Sequence, residues 1–206
     1  MEENQDIFEM RLDGGNLSLN FVNTIHDRYE EPFKDYLHHY LDLITWANFA
    51  DAINSAQKKK LLQISQENQG GAKLVYKESI QLREAIYGYI VSFLNQDEIP
   101  PPILQLINQW LSRAFSNLEL NRVDRDCVLD WNPEHFGLES VLWPIIRSFV
   151  DLITSDDRKR IKQCSNCGWV FVDNSKNKSR RWCSMEICGN RVKARRFAKK
   201  AQNSPK

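Results

Sequence analysis

Two short segments near the end of the chain, CSNCG at residues 164–168 and CSMEICG at residues 183–189, contain four cysteines in the order C-x2-C, fifteen residues, C-x4-C. Such pairs are typical ligands of a tetrahedral Zn2+ ion, because each pair comes from one tight turn and the spacer lets the chain fold back to close the site. Four thiolates leave no open coordination position for a substrate, so the sequence predicts one structural zinc ion. The predicted ligands are Cys164, Cys167, Cys183 and Cys188.

The residues around these cysteines predict a small treble-clef-like zinc finger at residues 158–206. Residues 158–162 are expected to end the preceding helix, and the aromatic and β-branched residues 169–172 are expected to form a strand. Cys188 is expected to open a helix that runs to about Gln202. One apolar face of that helix consists of Ala194, Phe197, Ala198 and Ala201. A module this short cannot bury enough apolar surface alone, and zinc binding can contribute roughly 10 kcal/mol or more to folding.

Charge is strongly polarised along the chain. Residues 158–206 hold fifteen Lys or Arg and two acids, a formal charge of +13, whereas residues 1–157 hold thirteen basic residues and 25 acids, a formal charge of −12. Because arginine pairs bidentately with phosphate and with guanine edges, the basic end predicts nucleic-acid binding. The candidate contact residues are Arg180, Arg181, Asn190, Arg191, Lys193, Arg195, Arg196, Lys199 and Lys200.

DNA is favoured over RNA as the partner. A protein that reads single-stranded RNA more often shows exposed aromatic side chains on a sheet. Trp169 and Phe171 would serve in that way if they faced outward.

Hydrophobic periodicity predicts a mostly helical domain with a little sheet over residues 1–157. Residues 8–12 alternate like a short strand, residues 16–28 fit a helix better than a strand, and Gly70-Gly71 are expected to end a surface helix. Cys127 is expected to pack as a small apolar side chain. The further predicted helices are 36–50, 55–68, 73–95, about 103–114 and 138–154, with a hairpin at about 118–131. The predicted fold class is therefore mainly α: a helical N-terminal domain and a small zinc finger.

No motif in residues 1–157 predicts catalysis, and we expect no enzymatic activity. Gly14-Gly15 lacks the further glycines and the lysine of a phosphate loop, and the four histidines have no metal-like spacing. A polar pocket for a small-molecule effector stays open as a prediction. Its candidate residues are Asn20, Asn23, Arg28 and Arg83.

The sequence predicts a cytoplasmic protein without a membrane partner. The N-terminus, MEENQDIFEM, is acidic and lacks the apolar core of a signal peptide, and no apolar run approaches the roughly 20 residues of a membrane span. Four of the five cysteines cluster and are not spread as a disulfide framework, which fits a reducing compartment.

Two motifs resemble known families. Residues 188–191 spell CGNR and follow Arg181-Trp182-Cys183-Ser184-Met185, which resembles the CGNR zinc-finger family of bacterial proteins. The segment GGNLSLNFVNT at residues 14–24 resembles the opening of the ABATE domain, which accompanies that finger in proteins described as stress-induced transcription regulators. Asn20 stands where we expect an acid. The resemblance implies a four-cysteine zinc site and DNA binding by the finger.

The leading functional hypothesis is a DNA-binding transcription regulator whose N-terminal domain senses a signal or dimerises, since a single finger contacts few bases and specificity needs a dimer. A second hypothesis is an interaction module whose basic finger docks on an acidic partner or on its own N-terminal domain. The third and weakest is a small-molecule enzyme in the N-terminal domain. Within the CGNR motif, Gly189 is expected to allow close packing, and Asn190 or Arg191 to bond the zinc knuckle or to reach phosphate.

Overall fold

The computed structural model describes residues 4–32 and 34–202, with side chains described through residue 199. The fold is mainly α, as the sequence predicts, and no helix among the described residues combines the length and apolar character needed to cross a bilayer. The helices are α1 (Leu17–Val22), α2 (Tyr40–Phe49), α3 (Ser55–Glu67), α4 (Gln69–Asn95), α5 (Pro101–Phe115), α6 (Trp143–Thr154) and α7 (Asn190–Gln202). The strands are β1 (Leu118–Val123), β2 (Asp126–Trp131), β3 (Ile161–Gln163) and β4 (Val170–Val172).

Asn68 separates α3 from α4. Its side chain accepts a hydrogen bond from the N–H of Gly71 at 2.8 Å, which satisfies a backbone donor that has no partner within the first turn of α4. Gly70 and Gly71 therefore lie inside that first turn. The prediction that they end the surface helix is wrong, because the asparagine before them already caps the next helix.

The N-terminal segment departs from the predicted pattern. Residues 8–12 form no strand, and a 3-10 turn at Gln5–Ile7 precedes them. An alternating pattern becomes a strand only where a partner strand supplies hydrogen bonds. Helix α1 ends at Val22, earlier than the predicted residue 28, and the chain then pairs Ile25 with Asp35 in an isolated antiparallel bridge.

Residues 158–162 do not end helix α6, which stops at Thr154. Ser155 caps a 3-10 turn at Asp156–Arg160, and β3 follows directly and pairs antiparallel with β4. The predicted strand at residues 169–172 is confirmed, and β3 supplies the partner that the sequence did not reveal.

The β1–β2 hairpin is confirmed at its predicted position, and most of its side chains are exposed on both faces. Cys127 is exposed, so the prediction that it packs as an apolar side chain is wrong. The reason is that the hairpin projects from the body and has no second layer over most of its length.

Strand β4 belongs to two hydrophobic cores. Val170 and Val172 pack in the large core formed by the helices. Phe171 packs with the four cysteines in a smaller core that also holds Trp169. Successive side chains of a strand point to opposite faces, so these three residues form a wall between the helical domain and the finger.

Hydrogen bonds between side chains and backbone groups fix the finger to the helical domain. The side chain of Asn23, which is buried, donates to the Val170 carbonyl at 2.8 Å and accepts from the Val170 N–H at 3.0 Å. The indole N–H of Trp169 donates to the Ile25 carbonyl at 2.6 Å. Both contacts pair buried polar groups that would otherwise be left without partners.

Replacing Asn23 with Ala should lower the free energy of unfolding by about 2–4 kcal/mol. The substitution leaves the N–H and C=O of Val170 buried and unpaired, and each unpaired group costs about 1–3 kcal/mol. Urea denaturation of the zinc-loaded chain, followed by tryptophan fluorescence, measures the change. Asn108, exposed on α5, is the matched control, and Asn108→Ala should change the value by less than about 0.5 kcal/mol. Equal effects of the two substitutions would contradict this role of Asn23.

Candidate metal centre and nucleic-acid interface

The sulfur atoms of the four cysteines form one buried cluster, and all lie within 4.8 Å of one another. The Sγ atom of Cys183 lies 3.7 Å from those of both Cys167 and Cys188. Zn–S bonds of about 2.3 Å at tetrahedral angles put sulfurs about 3.8 Å apart, so the cluster fits a zinc ion. Its ligands are the predicted Cys164, Cys167, Cys183 and Cys188.

The backbone around the first cysteine pair is shaped to surround the sulfurs. The N–H groups of Asn166 and Cys183 donate to the Cys164 sulfur, and that of Trp169 donates to the Cys167 sulfur. Gly168 adopts φ +73° at the end of this turn, and a Cβ there would lie 3.0 Å from the Arg28 Cβ. Only glycine takes this conformation without strain and also fits against the helical domain.

The electrostatics of the sulfurs are compatible with a bound cation. Contact with the Cys164 sulfur raises the pKa of both Cys167 and Cys183, and burial raises both further. Four thiolates in one buried cluster would repel one another, whereas a divalent ion holds them deprotonated. The donor set and the spacing thus agree on one structural zinc ion that stabilises the finger.

Asn166 links the zinc cluster to helix α7, and sequence reasoning missed it. Its side-chain N–H group donates to the Cys188 sulfur at 3.4 Å, and its carbonyl oxygen accepts from Arg195 at 3.2 Å. The only sequence signal is an amide side chain between the ligands of the knuckle. Because α7 begins two residues after Cys188, these contacts orient the helix relative to the metal.

The glycine and asparagine of the CGNR motif have structural partners. A Cβ at Gly189 would lie 2.5 Å from the Met185 sulfur, so the predicted close packing is present. Asn190 donates from its side chain to the Glu186 carbonyl at 2.9 Å and closes the π turn at Met185–Gly189. Arg191 is exposed and lies beside the zinc cluster.

Comparison with known families agrees with this architecture. The ABATE family, whose description is "putative stress-induced transcription regulator", matches residues 15–156, and the CGNR zinc finger matches residues 160–201. The chain belongs to the ABATE family. No curated protein matches the chain. Below, residues 15–156 are the ABATE domain and residues 160–201 the CGNR finger.

Asp173 holds the spacer of the CGNR finger together from a fully buried position. Burial alone would raise the pKa of this carboxyl group, but hydrogen bonds from Lys162, Ser175 and the Arg180 N–H outweigh burial and hold its pKa well below the usual range. Lys162 lies 2.7 Å from one carboxylate oxygen. The ionised side chain therefore fixes the loop that carries the third ligand.

The predicted nucleic-acid residues divide into two groups. Arg180 is partly buried, stacks 4.7 Å over the ring of Phe171 and donates to the Cys183 carbonyl, so it is part of the finger's own structure. The exposed basic residues are Arg181, Arg191, Lys193, Arg195, Arg196 and Lys199. The side chain of Lys200 lies outside the described residues.

Strand β4 offers no stacking surface for bases. Phe171 is fully buried, and Trp169 is 8% exposed. The condition under which these aromatics would serve a single-strand RNA reader is therefore not met.

Four residues of the ABATE domain were predicted to line an effector pocket, and all four have partners inside the chain. Asn23 binds β4, and Asn20 accepts from the N–H of Gly14 at 2.8 Å, which an amide oxygen does as well as the expected acid. Arg28 and Arg83 both bond Glu84. The effector pocket itself stays a prediction.

Arg83 is buried and also forms a bidentate pair with Asp35, at 2.7 and 2.8 Å. A separate cavity of about 130 Å3 adjoins the zinc cluster. Its wall includes Arg11 and Arg191 but none of the four predicted pocket residues.

Replacing Asn166 with Ala should weaken zinc affinity by about 10- to 100-fold, because partners that orient metal ligands typically contribute that much. Competition with a chromogenic chelator at fixed pH measures the affinity. Asn177, exposed in the same finger, is the control, and Asn177→Ala should leave the affinity unchanged. If the Asn166→Ala variant bound zinc with unchanged affinity, the Asn166 side chain would have no role in the metal site.

Replacing Asp173 with Asn should destabilise the chain at pH 7 but much less at low pH. A carboxyl whose pKa is depressed on folding adds stability above its unfolded pKa of about 3.9, and this stability is lost as pH falls through the folded pKa. Free energies of unfolding of both proteins between pH 7 and 3, at pH values where both retain zinc, test this. Asp97→Asn, at an exposed site, is the control. If the difference in free energy of unfolding between the two proteins stayed constant down to pH 3, the ionised carboxylate would be excluded as the cause of that difference.

Proposed function

We propose that the chain is a transcription regulator that binds duplex DNA through helix α7 of the CGNR finger. The observation that carries the proposal is the exposure of Lys193, Arg196 and Lys199, none of which has an ion-pair partner among the described residues. Unpaired cations on a helix fixed by a metal site are suited to phosphate contacts. The proposal assigns no catalytic step to the chain.

The ABATE domain supports this helix without masking it. Among the described residues, one long-range ion pair joins the two halves of the chain, Arg11 with Glu186 at 3.6 Å, and in that pair the base belongs to the acidic half. Docking of the basic helix on its own ABATE domain therefore has no contact to support it in the described residues. We infer that the ABATE domain places the finger and leaves α7 available to DNA, and that signals reach the finger through the shared strand β4.

Neutralising the three unpaired cations, as Lys193→Gln, Arg196→Gln and Lys199→Gln together, should weaken binding to duplex DNA and reduce its salt dependence. Each lost phosphate contact lowers the slope of log K against log salt concentration by about 0.9, so the slope should fall by up to about 3. Fluorescence anisotropy with a labelled duplex, from 50 to 200 mM salt, measures both quantities for the zinc-loaded chain.

The control removes three positive charges from the ABATE domain at the exposed positions Lys59, Lys73 and Lys77. This variant should keep the slope and the affinity of the unmodified chain. Binding that is independent of salt, or lost equally in both variants, would contradict the proposal. Salt-dependent binding to single-stranded RNA but not to duplex DNA would also overturn it.

A further inference from the structure

The β1–β2 hairpin carries apolar side chains on both faces, with Leu120 and Leu129 on one and Val123 and Val128 on the other, and the described residues leave them exposed. The exposed fractions are 68% for Leu120, 55% for Val123, 44% for Val128 and 46% for Leu129. A two-stranded hairpin alone is only marginally stable in water, and adjoining exposed apolar side chains mark interaction surfaces. None of these residues belongs to the zinc site or to the basic helix.

Strand β1 also has an open hydrogen-bonding edge. The pair Val123 and Asp126 closes a two-residue turn, and the Asn132 N–H donates to the Asn117 carbonyl at 2.8 Å at the opposite end of the hairpin. Opposed residues in an antiparallel ladder alternate between pairs that exchange backbone hydrogen bonds and pairs that do not. The two ends therefore determine which β1 residues direct their backbone N–H and C=O groups away from β2. The residues whose backbone groups point outward are Leu118, Leu120 and Arg122. The outer edge of β2 is less open, since Arg147 donates to the Leu129 carbonyl at 3.4 Å.

We propose that β1 pairs antiparallel with β1 of a second copy, around a two-fold axis at Leu120, to form a dimer with a four-stranded sheet. In this register Leu120 of one copy lies directly opposite Leu120 of the other. Within each hairpin, Leu120 also lies opposite Leu129. Four leucines then form one continuous row across the sheet, and the two edges gain about six backbone hydrogen bonds.

Charge permits a second copy at this edge, and the open backbone groups of β1 favour this edge over that of β2. In the proposed register Glu119 faces Asn121 and Leu118 faces Arg122, so no like charges oppose each other. Self-pairing of β2 around Leu129 would also avoid like charges, but there the Leu129 carbonyl already accepts a hydrogen bond from Arg147. Because Leu120 of one copy lies opposite Leu120 of the other in this register, the surface is complementary to itself, as a two-fold interface requires.

Sedimentation of the zinc-loaded full chain without DNA tests the dimer independently of the proposed function. We expect a concentration-dependent dimer between 1 and 100 μM, on the order expected for a modest interface. Leu120→Lys puts two like charges on the axis and should raise the dissociation constant at least tenfold. Val128→Lys, at a position that is also exposed but lies on β2, away from the new pairing, and on the opposite face of the hairpin, should not. A monomer at all concentrations, or equal behaviour of the two variants, would overturn the proposal.

A cysteine placed on the axis tests the register. In a Cys127→Ser background, Leu120→Cys should form a covalent dimer under mild oxidation, because directly opposed residues lie within disulfide reach. Asn121→Cys should not, since the two-residue offset separates its Cα from that of its mate by more than about 7 Å. Zinc content, measured in parallel, confirms that the metal ligands stay intact. Equal cross-linking at both positions would exclude this register.

Discussion

Strand β4 is the constraint on which the rest of the molecule depends. Its alternation places Val170 and Val172 in the helical core and Phe171 against the zinc cluster, so three residues close two cores at once. Asn23 fixes the same strand by both backbone groups of one residue. Opening either core would expose side chains of the other. Metal binding and the folding of the ABATE domain are therefore coupled, although the metal touches only the finger.

The opposite charges of the two halves do not decide how they pack. Exposed charges more than about 10 Å apart are largely screened at physiological salt, and exposed ion pairs contribute little. Buried backbone groups without partners are far more costly, and the interface satisfies them through Asn23 and through the Trp169 indole. The basic helix is consequently left free, because the packing is set by apolar and backbone contacts elsewhere in the finger.

Local sequence patterns predicted the parts of the fold that local physics controls. Helical periodicity identified the main helices, and ligand spacing identified the zinc site. The errors occur where a distant partner decides the outcome: residues 8–12 alternate but find no strand, whereas 161–163 become a strand because β4 lies beside them. Asn23 could not be assigned either, since nothing near it in sequence indicates that it binds Val170.

The link from Asn166 to Arg195 separates the arginines of α7 by what they can do. Arg195 is committed in part to the amide that bonds the Cys188 sulfur, so a phosphate that drew it away would also disturb a metal ligand. Lys193 and Arg196 carry no such commitment in the described chain. On the proposed function, contact with DNA through those two residues would leave the zinc site undisturbed, whereas contact through Arg195 would be sensitive to the state of the metal. On the proposed function, the same helix would combine two residues available to DNA with one residue tied to a metal ligand.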